Sequence, residues 1–183
     1  MIRLKLAEQK DLSYLIDVHA RSTSWLNEQG IFQWTDAYPS PTTIQVAINN
    51  NCQFLLWEDS IIMGSVVLNE EQDEEWRSIP WTFPGKILVI HALVIDPKIQ
   101  GKGYGQQGLT SIEAYASKNG YIGIRLDVFP YNQRAVQLYE RNGYRYVGDV
   151  YFNGKPKGYE RYKCYEKKIV TNQDHKKKAT MHE

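Results

Sequence analysis

Eight consecutive residues, Gln100, Gly101, Lys102, Gly103, Tyr104, Gly105, Gln106 and Gln107, carry the strongest chemical signal in the chain. They sit between an apolar run, Ile87 to Ile95, and a run with helical spacing, Gln106 to Lys118, with Asp96 and Pro97 marking a turn. A glycine-rich turn that opens a helix leaves backbone N–H groups unpaired. The helix dipole adds partial positive charge at the same place, so such a turn suits a phosphate. Glycine at 103 and 105 lets the backbone approach a ligand with no Cβ in the way. Two patterns overlap here. Gly103, Gly105 and Gly108 satisfy the dinucleotide fingerprint Gly-x-Gly-x-x-Gly, and Asp127 lies near the spacing of a ribose-binding acid. That reading fails on context. Pro97 and further residues separate the turn from its strand, and the chain beyond Asp127 is too short to complete a doubly wound sheet. The second pattern is Gln-x-x-Gly-x-Gly, formed by Gln100, Gly103 and Gly105.

Other side chains suggest an amine-binding surface. Trp34, Trp76, Trp81 and Phe83 are candidates for an aromatic box, with Trp34 and Trp81 taken as substrate-binding. Glu70, Glu71, Asp73, Glu74 and Glu75 form an acidic stretch that would attract a cation. The same residues also fit a solvated acidic loop beside core aromatics.

The elements that must position these groups follow from periodicity. Ile2 to Leu6 alternates as a strand. Asp11 is placed to cap a helix that carries Leu12, Leu15 and Ile16 on one face and ends near Gly30. Thr42 or Thr43 opens a short helix through Ile48. Gln53 to Trp57 and Ile61 to Leu68 make a hairpin across Asp59-Ser60. Ile87 to Ile95 is apolar throughout, as a central strand should be. The glycine turn and its helix come next, closed by Gly120, and Ile122 to Val128 forms a strand. Asn132 caps a helix through Arg141, and Tyr144 to Phe152 and Tyr159 to Glu166 complete the set. The order is strand, two helices, three strands, helix, strand, helix, two strands. It predicts an α/β protein of the α+β type, with a mixed sheet and helices on both faces.

Composition narrows the function classes. A chain of 183 residues suffices for one domain with a sizeable core. A net charge of +1 supplies no field for nucleic acid or membrane. No apolar run is long enough to span a bilayer, and Met1-Ile2-Arg3-Leu4-Lys5 reads as a strand rather than a secretory signal. The expectation is a cytoplasmic protein. Cys52 and Cys164 form no paired motif and the four histidines are scattered, so no metal site is expected. Residues 169–183 are polar and Lys-rich and read as a tail behind a single domain of residues 1–168.

Taken together and in order, the motifs resemble the GNAT superfamily of acyl-CoA N-acyltransferases. Gln100, Gly103 and Gly105 resemble its pyrophosphate loop. The run His91-Ala92-Leu93-Val94-Ile95-Asp96-Pro97 resembles its central strand and turn. Asn132, Ala135, Tyr139, Gly143 and Tyr144 match its Asn…Ala…Leu-Tyr…Gly-aromatic signature. The resemblance implies a largely antiparallel seven-stranded sheet whose central strands splay apart, with acetyl-CoA as co-substrate and no metal. By position, Leu93, Val94 and Ile95 would meet pantetheine and acetyl. Gln100, Gly101, Lys102, Gly103, Tyr104, Gly105 and Gln106 would meet pyrophosphate, and Asn132 would contact the cofactor. Tyr139 would serve the leaving thiolate as general acid. The family often has Glu near the start of the central strand; here His91 stands as the candidate base, placed by alternation on the face of Leu93 and Ile95. Asp127 is the alternative. The reaction implied is acetyl transfer to a primary amine of a small molecule, by a monomer or homodimer. A non-catalytic acetyl-CoA sensor or interaction domain is the second possibility.

Overall fold

In the computed structural model, which describes residues 1–155 and 157–170, the alternating and helical runs take the order the sequence predicts. β1 (Arg3–Leu6) leads to α1 (Leu12–Glu28) and α2 (Pro41–Asn49), then to β2 (Gln53–Glu58), β3 (Ile61–Asn69) and β4 (Ile87–Ile95). α3 (Tyr104–Lys118), β5 (Gly123–Val128), α4 (Gln133–Arg141), β6 (Arg145–Tyr151) and β7 (Arg161–Lys168) follow. The strands form one sheet in the order β1-β2-β3-β4-β5-β7-β6. Only β4 and β5 run parallel; the other pairs are antiparallel.

Each face of the sheet has its own apolar layer. Leu109, Ile112 and Ala116 of α3 and Val136 and Tyr139 of α4 pack on Leu88, Ile90, Ile124 and Leu126. Leu15 of α1 and Ile44 and Ile48 of α2 cover Leu55 on the opposite face. Ser40, not Thr42 or Thr43, caps α2. Its hydroxyl accepts from the Thr43 backbone N–H at 3.2 Å, and Pro41 occupies the first turn, where a missing N–H costs nothing. Asp11 instead closes a short 3₁₀ turn before α1 by accepting from the Glu8 N–H. Ile169 lies inside the core and donates its N–H to Ile122, so the packed chain runs past residue 168. Residues 171–183, most of the expected tail, lie outside the described residues.

Two irregularities in β4 shape everything that follows. First, β4 pairs with β5 only at Ile87, Leu88 and Val89. Beyond Val89, β4 stays on β3 as far as Ile95 and β5 stays on β7 as far as Val128, so their facing edges open into a cleft. Second, β4 is bulged. His91 pairs with Val67 and Val94 with Ser65, so Ala92 and Leu93 together face Val66. Ala92 takes a positive φ of 47° to make room. The extra residue resets the alternation. Leu93 and Ile95 therefore pack beside Leu88 and Ile90 under α3 and α4, while His91 turns to the α1 and α2 side. Regular alternation would have put His91 with Leu93 and Ile95; the bulge corrects that expectation.

Candidate active site

The glycine turn starts α3 without a side-chain cap. Gly103 is the N-cap residue at φ 77°, in the left-handed region, and no side chain satisfies the first turn. α2 and α4 are capped by Ser40 and Asn132. At α3 the N–H groups of Tyr104, Gly105 and Gln106, which lack intrahelical partners, are left for a ligand. A Cβ added at Gly101 or Gly103 would meet nothing within 4 Å, so the space in front of the turn is open. Gly105 differs. A Cβ there would lie 3.2 Å from Leu138 Cδ2, so its small size also lets α3 pack against α4. Gln100 Nε2 donates to the Ile95 carbonyl at 3.0 Å and ties the turn to the end of β4. Asp96 accepts from the Lys98 N–H and pairs with Arg21 at 2.7 Å. Burial alone would raise its pKa; Arg21 and the Lys98 N–H outweigh burial and hold it below the ordinary value.

A cavity of about 370 Å³ runs from this turn into the splay. Leu93, Val94, Ile95, Gln100, Gly101, Gly103, Tyr104 and Gly105 line it, with Asn132 and Tyr139 opposite on α4. Lys102 and Gln106 are exposed and are not part of the lining. Asn132 performs two tasks there. Its Oδ1 accepts from the Ala135 N–H at 3.2 Å to cap α4, and its Nδ2 donates to Gln33 Oε1 at 3.0 Å, tying α4 to the segment between α1 and α2.

A second cavity, of about 700 Å³, shares Leu93 with the first. Leu93, Gln33, Trp34, Asn132, Ala135 and Tyr139 line both cavities, so Tyr139 stands at their junction. Burial, and then the charge of Asp127, raise the Tyr139 pKa well above that of a free phenol, so it stays protonated. Asp127 and His91 both line the larger cavity. Burial, reinforced by Asp73, pushes the Asp127 carboxyl up to about 7, against the opposing pull of Lys155. Burial lowers the His91 pKa despite nearby Asp73, so the ring is neutral at neutral pH. His91 Nε2 lies 3.0 Å from Asn69 Oδ1; with the amide in this orientation the ring donates there and leaves Nδ1 as the acceptor.

The aromatic and acidic expectations divide. Trp34 lines both cavities, 5.8 Å from the His19 ring. Trp81 is not in either lining. Its Nε1 donates to the Trp76 carbonyl at 3.2 Å and the Arg125 guanidinium lies 4.4 Å from its ring, so it is held in the core beside Trp76. Asp73 and Glu75 reach the larger cavity, whereas Glu70 accepts from the Tyr121 hydroxyl and Glu74 pairs with Arg77. Tyr38 lines this cavity too, as do Phe129, Tyr159, Tyr162 and Lys155, and no local motif marked the last four. Among the described residues there is no cluster of three His, Cys, Asp or Glu side chains suited to a metal ion, and no helix is long and apolar enough to cross a membrane.

A splayed β4–β5 pair, an uncapped glycine-led α3 and a tyrosine on α4 facing the gap define an acyl-CoA N-acyltransferase fold. The family model for the acetyltransferase (GNAT) family matches residues 20–144, and the chain belongs to that family. It is 30% identical over 87 residues to the uncharacterized N-acetyltransferase YhfO of Bacillus subtilis, a match covering 44% of this chain and 58% of that protein. It is 36% identical over 66 residues to the spermine/spermidine N(1)-acetyltransferase of the same organism, covering 33% of this chain and 41% of that one. The match thus spans only about half the length of these relatives. A GNAT-family acetyltransferase structure from Streptococcus agalactiae 2603 superposes with a TM-score of 0.80 over 93% of this chain and 96% of its own, at 18% identity, which is a likeness of fold.

Proposed function

We propose that this protein transfers the acetyl group of acetyl-CoA to a primary amine of a small molecule. The observation that carries the reading is the position of Tyr139, in the wall of both cavities where they meet at Leu93. The smaller cavity, with its free N–H groups and open glycines, fits the pyrophosphate and pantetheine arm of the co-substrate. The larger one, with Asp73, Asp127 and several aromatic faces, fits an amine.

On this reading each residue takes a role. The amine must lose a proton before or as its nitrogen bonds to the acetyl carbon. Asp127 and His91 both line that space; the Asp127 carboxyl, at about 7, is partly ionised near neutral pH, and the His91 ring is neutral there. Beyond Val89 the β4 edge facing β5 has no strand partner, so its backbone N–H groups are available to the carbonyl oxygen. As the carbon–sulfur bond breaks, Tyr139 donates a hydrogen bond to the forming thiolate. Its raised pKa makes it a hydrogen-bond donor more than a proton source, because a thiol at about 8.5 is the stronger acid.

The test is a panel of amines incubated with the protein and acetyl-CoA, with free thiol followed by a colour reagent and the acetylated amine identified by mass spectrometry. Thiol release matched by N-acetyl product is expected for at least one small amine. Saturable acetyl-CoA binding with no product from any amine would replace this reading with a sensor.

A further inference from the structure

Lys155 is out of place in a cavity built for an amine. It lies between β6 and β7 and lines the larger cavity with Asp127 and Asp73. Its Nζ sits 5.4 Å from the Tyr38 ring centre and 5.2 Å from that of Tyr162, so two aromatic faces hold it from different segments. None of the ion pairs among the described residues involves it. A half-buried ammonium held by rings, with no carboxylate in contact, has donors to spare. A plain cationic acceptor would be repelled by it. An acceptor carrying its own anion would not.

Resting on the acetyl-transfer reading, we infer that the acceptor is a small zwitterion of the amino-acid type, whose carboxylate is bound by Lys155 while its amine faces Asp127. Lys155 and Asp127 then present opposite charges in one cavity, and each charged group of the ligand meets its complement. Burial also lowers the Lys155 pKa, against the pull of Asp127 and Asp73, and a bound carboxylate would raise it again. Lys155 is thus a specificity-determining residue: it selects the ligand and leaves the chemistry to Tyr139, Asp127 and His91.

The experiment compares each common α-amino acid with its carboxamide and with its decarboxylated amine, by equilibrium binding and by turnover. The wild-type protein should prefer at least one amino acid over its two analogues by about 10- to 100-fold, the range expected for one hydrogen-bonded charge. In Lys155→Met the preference should vanish through KM with kcat little changed, and Lys155→Arg should keep part of it. Unchanged thermal unfolding of both variants separates this loss from misfolding. Equal use of all three compounds by the wild type, a preference that survives in Lys155→Met, or no amino acid binding at all would overturn the inference. Plain amines turned over by the wild type at least as well as every amino acid would overturn it while leaving acetyl transfer standing. Amino acid binding that depends on Lys155 but yields no product would sustain the anion site and refute transfer.

Discussion

Asp127→Asn isolates the most perturbed carboxyl in the cavity, and its effect has a sign that depends on pH. The Asp127 pKa is raised from the ordinary 3.8 to about 7, first by burial and then by Asp73. A native pKa above the unfolded one means that the folded protein binds more protons between the two values. Stability therefore falls as pH rises through that window, and the cost is complete above it. At about 1.4 kcal/mol per tenfold change in proton affinity, the shift amounts to about 4 kcal/mol, and screening by cavity water brings the expected figure to about 2–4 kcal/mol. Asparagine is nearly isosteric and does not titrate. The variant should match the wild type in denaturant unfolding near pH 4 and exceed it by about 2–4 kcal/mol near pH 8. The gap should open in between, with its midpoint between the two pKa values. Turnover should fall in the same variant, so the carboxylate would trade stability for function. A difference that stays constant from about pH 4 to about pH 8 would refute the raised pKa and with it the case for Asp127 as a base.

Two other substitutions separate the remaining roles. His91→Ala should lower turnover by about a hundredfold and erase a pH step below the ordinary 6.5, since the base acts deprotonated and burial lowers its pKa; an unaltered pH–rate profile assigns the proton to Asp127 instead. Gly105→Val should drive a branched side chain into Leu138, which lies only 3.2 Å from a first Cβ, costing about 1–3 kcal/mol of stability by denaturant unfolding and weakening acetyl-CoA by about tenfold in calorimetry. Stability and affinity both unchanged would contradict the α3–α4 packing at this point.

What the sequence disclosed follows from how far each signal reaches along the chain. The apolar run Ile87–Ile95 became β4 at those residues, and Asn132 caps α4, because continuous burial and a helix cap are written within a few neighbouring positions. The glycine turn was equally local. The side of β4 that His91 occupies was not, because one inserted residue at Ala92 reverses the alternation and nothing in the apolar string marks it. That Gly105 also packs on Leu138 was not visible, because the two are distant in sequence. The larger cavity was least visible. Tyr38, Asp73, Asp127, Lys155 and Tyr162 come from separate segments that meet only once the sheet and the α1–α2 connection are assembled. Trp81 was misplaced for the same reason: its partner Arg125 lies on β5, far along the chain.

The central claim is that Tyr139, at the junction of the two cavities, assists departure of the thiolate. Tyr139→Phe keeps the ring and its edge contact with Tyr144, at 5.5 Å between centroids, and removes only the hydroxyl. Its single-turnover rate with an accepted amine, measured where chemistry limits, should fall about 10- to 1,000-fold, with acetyl-CoA affinity and thermal unfolding nearly unchanged. The loss should shrink with a thioester whose thiol is more acidic. Full activity in Tyr139→Phe under those conditions would contradict the account and return Tyr139 to the core.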